Sequence, residues 1–162
     1  NLPQCTVCHQ HHAIAEPTAD ILKMGADSVC ITCHHQNDKG WRTGEQMYGM
    51  ISELVRLRDQ AQAGLDEAQN LGMDVTEGRF QLQDFRKDFL QLRTISHALE
   101  LAEFTKKFQE AKERATNAHQ VSQDAIQEFH YRRKGLLVAL LLCFPVLILL
   151  TLKVREISNG RP

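Results

Sequence analysis

Two short stretches carry residue types at a spacing that can do chemistry, Cys5-Thr6-Val7-Cys8-His9 and Cys30-Ile31-Thr32-Cys33-His34. In each, two thiols three positions apart can form thioether bonds to the two vinyl groups of one porphyrin. The imidazole that follows then lies under the iron as an axial ligand. The chain has 5 cysteines, and only Cys143 is left outside these motifs. The pattern therefore predicts two covalently bound haem c groups, held by Cys5, Cys8, Cys30 and Cys33, with His9 and His34 as the proximal iron ligands. Two C-x-x-C pairs at this separation also come close to a four-cysteine zinc module, which is the alternative reading. A zinc module has no need of a histidine directly after each second cysteine, and haem explains both.

Of the 8 histidines, His9, His11, His12, His34 and His35 crowd the same segment. His12 stands only three residues after His9 and cannot swing to the opposite face of the same haem, so as a ligand it would serve a neighbouring one. His97 is a lone polar ring on a helix otherwise lined by Leu, Ile and Phe, where a hydrogen-bonded interior histidine is the plain alternative. His12 and His97 are the candidate distal iron ligands, with His35 next. Met24, Met47, Met50 and Met73 could raise a haem potential as sixth ligands, although methionines at helical spacing usually pack in cores. His119 and His130 read as surface or interfacial residues.

These groups need elements to hold them. Residues 1–42 lack regular periodicity and cannot bury enough apolar area to fold by packing alone, so the haems themselves would serve as their core. From about Thr43 the apolar positions Met47, Ile51, Leu54, Ala61, Leu65 and Ala68 repeat at three and four residues, interrupted by Arg58, and predict a long amphipathic helix ending at Gly72. Asp74 and Glu77 read as a capping box for a second helix carrying Leu82, Phe85, Phe89, Leu92 and Leu99. A third register, Leu101, Phe104, Phe108, Ala111, Ala115, Ala118, Ser122, Ala125 and Phe129, forms one narrow seam. Neither Gly nor Pro separates the second helix from the third, and a bend is placed near residues 95–101 because a straight helix from Arg79 to Arg133 would extend roughly 80 Å.

Residues 136–152 hold no charge and would make about 26 Å of helix; Gly135 and Val154 extend the run enough to cross a bilayer. A run apolar on every face in so short a chain predicts a membrane helix in preference to a buried core helix. Pro145 within it is tolerable in a membrane span. Arg132, Arg133 and Lys134 on one flank are largely balanced by Lys153 and Arg155 on the other, so charge does not orient the span. The fold class is thus mostly α: an irregular dihaem segment over residues 1–42, a long antiparallel helical stalk or coiled coil over 43–134, a transmembrane helix over 135–153 and a short cytoplasmic tail over 154–162. The net charge of −1 argues against a nucleic-acid partner, and no glycine-rich nucleotide motif occurs. The chain opens at Asn1 without a leader, and reads as a processed form or as part of a longer protein.

The chain resembles the multihaem cytochromes c with repeated C-x-x-C-H motifs and bis-histidine haems, most clearly over Cys5 to Ala15, where Cys8-His9-Gln10-His11-His12-Ala13-Ile14 is similar to the family's cysteine-histidine run. Leu92-Arg93-Thr94-Ile95-Ser96-His97 is similar to a histidine-bearing helix of the branch that includes hydroxylamine-oxidoreductase-like proteins, and Phe129 to Arg155 resembles the anchor of membrane-bound members. Cys33-His34-His35 resembles small low-potential cytochromes in which the second histidine ligates the adjacent haem. Two haems are fewer than most members carry. The resemblance implies haem attachment outside the cytoplasmic membrane, which places the N-terminal segment in the periplasm. It also implies electron transfer without catalysis, between a membrane, quinol-linked oxidoreductase and periplasmic haem proteins, within a larger hetero-oligomeric respiratory complex or a helical oligomer. A small subunit of a multihaem nitrogen-compound oxidoreductase is the enzymatic alternative, weakened by the lack of a third haem motif with an open iron. The seams along the stalk cannot be satisfied by a lone hairpin, so helical partners are expected there.

Overall fold

The computed structural model of the chain describes residues 4–9, 12, 18–25 and 28–160. His11, residues 13–17 and the end of the tail lie outside these. Among the described residues the regular structure is helical throughout: α1 (Cys5–His9), single 3-10 turns at Ala19–Leu22 and Val29–Thr32, α2 (Lys39–Asn70), α3 (Thr76–Ile95), a 3-10 turn at Ser96–Ala98, and α4 (Leu101–Asn159).

Local chemistry explains the boundaries. Asp38 opens α2, its Oδ1 accepting the Trp41 N–H at 2.7 Å. The helix therefore starts four residues before the expected Thr43, because the cap precedes the stretch in which apolar periodicity first has something to pack against. At the other end the Met73 N–H donates to Ala68 O (3.0 Å) and the Gly72 N–H to Gln69 O (2.9 Å). With Gly72 at φ 78, this is a Schellman stop, where glycine adopts the left-handed conformation without a Cβ penalty. The capping box expected at Asp74 and Glu77 does not form. Asp74 Oδ1 instead accepts from the Thr76 N–H (2.9 Å) and Thr76 Oγ1 (2.7 Å), one residue ahead of the true cap position at Val75. Glu77 then faces its own helix and accepts from Gln81 Nε2 at 2.7 Å.

α2, α3 and α4 make an up-down-up bundle in which α4 packs along both of the others. The buried positions of α2 are those of the apolar register, Met47, Ile51, Leu54, Ala61, Leu65 and Ala68, joined by Gly44 and Gly64. On α4 they run from Phe104 through Phe108, Ala111, Ala115, Ala118, Ser122 and Ala125. The core has two parts. Near the start of α2 and α4, Met47, Ile51, Leu54, Phe85, Leu92, Phe104 and Phe108 interlock. Further along, Ala61, Leu65, Ala68, Val75, Leu82, Ala118 and Ala125 close the far end. Small residues there let the helix axes approach: a Cβ on Gly64 would lie 2.4 Å from Ser122 Oγ, and one on Gly78 2.3 Å from Leu65 Cδ2. Lys112 to Glu53 (2.8 Å) and Lys107 to Asp88 (2.8 Å) tie α4 to α2 and α3 at the rim.

The narrow seam of α4 is thus satisfied within the chain, because three helices share it. One correction concerns Leu99, which is not a seam residue of α3. It is 47 % exposed and sits at φ 54 in the reversal between α3 and α4.

Beyond Ala125 the helix α4 continues without a break, Pro145 included, to Asn159. Every residue from 131 to 160 is exposed. The apolar run is therefore no core helix, and α4 is the one helix among the described residues long and apolar enough to cross a membrane.

Candidate haem-iron site

Both C-x-x-C-H motifs lie at the end of the bundle where α2 and α4 begin. The first forms α1, which puts Cys5, Cys8 and His9 on a single helical turn. The second forms the 3-10 turn Val29–Thr32, capped by Ser28, whose Oγ accepts the Cys30 N–H at 3.1 Å. Ala19 and Leu22 pack on the adjoining core. The methyl of Met24 fills the space beside Gly44, where a Cβ would lie 1.9 Å from it. Met24 therefore packs, as do Met47 in the upper core and Met73 against the far cluster.

The two motifs are neighbours. Burial pushes the Cys8 thiol up, and the charges of nearby Cys30 and Cys5 push it further the same way. All four motif cysteines are unbridged. Among the described residues no three Cys, His, Asp or Glu side chains converge on one point.

The fold brings His97 to His9. Their ring centres are 6.1 Å apart with planes inclined by 20°. The two rings are thus stacked. The reversal after α3 makes this approach. His97 lies in the 3-10 turn Ser96–Ala98, and its Nδ1 lies 3.1 Å from Arg93 O and 3.2 Å from Thr94 O. With Nδ1–H donating to these carbonyls, Nε2 keeps its lone pair, the arrangement that orients a metal-binding histidine. The left-handed Leu99 closes the turn through its N–H to Ser96 O (3.2 Å). A branched apolar residue in that conformation carries roughly 1–2 kcal/mol of strain.

His34 is held differently. Its Nδ1 lies 3.2 Å from Asp38 Oδ2, and its ring rests on Gly40, where a Cβ would fall 2.1 Å from His34 Cε1. Only glycine leaves room for the imidazole at that place. The Trp41 N–H lowers the Asp38 carboxyl below the usual carboxylate range against the cost of desolvation, and the His35 N–H and His34 lower it further. Asp38 thus caps α2 and orients His34 with one carboxylate. It was not among the residues singled out from the sequence, although an acid four residues after a motif histidine and just ahead of a helix carries the signal.

Of the other candidates, His12 and His35 are exposed, and the His35 N–H donates to Asp38 Oδ2 at 3.0 Å. His119 and His130 lie on α4 roughly 27 and 44 Å along the axis from Leu101, far from either motif. At the first motif the residues that would hold a haem are Cys5 and Cys8 for the thioethers and His9 for the iron, with His97 stacked beside it; at the second they would be Cys30, Cys33 and the His34 that Asp38 and Gly40 hold.

No protein-family model matches this chain, and neither does any curated protein or solved structure.

Proposed function

We propose that the chain is a membrane-anchored dihaem c-type cytochrome that carries electrons as part of a larger respiratory complex. The reading is supported above all by the two C-x-x-C-H motifs gathered at one end of the bundle, where His97, 88 positions on in sequence, stacks its ring on that of His9 with centres 6.1 Å apart. Haem, when bound, supplies one-electron exchange at its iron. The chain would supply the rest: thiols to fix the porphyrin, imidazoles to hold the iron, and hydrogen bonds donated from Nδ1–H that keep His97 and His34 in the tautomer presenting Nε2.

An iron held by two histidines would have no position open to substrate, so this reading is of electron transfer and not of catalysis. In this reading α4 crosses the cytoplasmic membrane once, near residues 135–153, with the motifs on the periplasmic side, and the partners are membrane oxidoreductase subunits or other haem proteins. A pyridine haemochrome assay, haem staining on a denaturing gel and intact mass together test it. The expected result is two haems per chain, covalently bound. A bare polypeptide mass with four free or zinc-bound thiols ends the reading, and carbon monoxide binding by the reduced, unmodified protein turns it toward the enzymatic alternative.

A further inference from the structure

The position of the motifs relative to the apolar run constrains what the haems can meet. The His34 ring rests on Gly40 and the Met24 methyl on Gly44, both in the first two turns of α2. His97 lies immediately before α4, and Ala19 and Leu22 pack with Leu101 around the same end of the core. The opposite end is closed by the α2–α3 turn, where Val75 and Met73 meet Ala125 and Ile126. The apolar run leaves from that opposite end, on the same unbroken helix.

At about 1.5 Å per residue, roughly 50 Å of α4 separate Leu101 from Gly135. A span tilted by as much as about 40° still lifts the motifs by about 40 Å, because bundle and span share one helix. The groups near the expected membrane surface, Glu128, His130, Arg132, Arg133 and Lys134, are exposed on the single helix and touch neither motif.

Building on the haem reading above, we infer that the direct redox partner of this site is a one-electron metal centre held by a second protein in the aqueous phase, about 40 to 50 Å above the bilayer, and not a lipid-dissolved quinol. Tunnelling falls exponentially with distance, and no single hop covers that gap. Each transfer moves one electron: the partner's reduced metal is oxidised while one haem iron passes from Fe(III) to Fe(II), or the reverse, and no bond or proton changes hands. A quinol gives up two electrons and two protons, and its ring stays at the depth of the headgroups. The helical stalk acts as a spacer that sets the height at which the partner is met.

The test uses the full chain in sealed liposomes, after its haem spectrum has been recorded. One sample receives a long-tailed quinol dissolved in the bilayer, another a reduced water-soluble c-type cytochrome of low potential outside the vesicles. The soluble donor should reduce the haems more than about a hundredfold faster, two decades in rate. Quenching of a headgroup-attached fluorophore by haem gives the distance independently, and should be weak. Equal or faster reduction through the bilayer, or strong quenching, overturns the inference, and quenching decides the matter if neither donor acts. A chain without haem overturns this inference and the functional reading together, whereas a haem-loaded chain reduced by bilayer quinol overturns this inference alone.

Discussion

Replacing His97 by alanine separates the ligand reading from the packing reading. The His97 side chain is exposed, and its hydrogen bonds run to carbonyls of its own turn, Arg93 O and Thr94 O. The change should therefore move the stability of the helical bundle by less than about 0.5 kcal/mol, as at an ordinary surface site. Its effect on the iron should be large by comparison. In the proposed reading His9 and His97, whose ring centres are 6.1 Å apart, would hold one iron between them, and an alanine methyl cannot reach it. One haem of the two should become high-spin, visible by electron paramagnetic resonance, and that half of the reduced haem should bind carbon monoxide. Added imidazole should return it to low spin. His97→Met should keep six-coordination and raise the potential of that haem, since thioether ligation favours the reduced iron. His12→Ala is the matched comparison for the second haem. An unchanged low-spin spectrum in His97→Ala refutes the pairing, and in both variants it sends the search to His35 or to a partner chain.

Asp38→Asn should keep the cap on the Trp41 N–H, because asparagine caps as well as aspartate, while removing the negative charge beside His34 Nδ1. In a redox titration the wave of the His34 haem should rise and the other should stay; a shift in neither means that the Asp38 contact does not tune the iron. Two glycines of the bundle predict opposite signs. Gly78→Val would drive a Cβ to 2.3 Å from Leu65 Cδ2 and should cost about 1–3 kcal/mol. Gly49, with nothing within 4 Å of its Cβ position, should gain about 0.5–1 kcal/mol as alanine; thermal unfolding followed by circular dichroism compares the two. The Asp66 carboxyl is held below the ordinary range by Arg79 first and Gln62 second, against a small cost of desolvation. Its folded pKa is thus lower than its unfolded one, so its stabilisation is complete above the ordinary carboxylate range and is lost as pH falls through the lowered value. Asp66→Asn should flatten the acid limb of the unfolding midpoint, and an unchanged limb refutes the α2–α3 link.

Periodicity alone determined most of the helical scaffold. The buried residues Met47, Ile51, Leu54, Ala61, Leu65 and Ala68 of α2 and the Phe104 to Ala125 stripe of α4 are those with a three-four apolar repeat, because a helix that buries one face must repeat at 3.6 residues. The stop at Gly72 was equally legible, being a local backbone requirement. The uncharged run and the C-x-x-C-H spacing are likewise written in the chain without reference to its fold. Tertiary structure decided what depends on residues distant in sequence. Nothing local marks Ser96–Ala98 as a 3-10 turn or Leu99 as left-handed, since no Gly or Pro signals the break. The reversal is set by the bundle, whose core closes only if α4 returns along both α2 and α3. The same return carries His97 to His9. The height of the motifs above the apolar run follows from it as well, because one continuous helix joins the reversal to the end of the span.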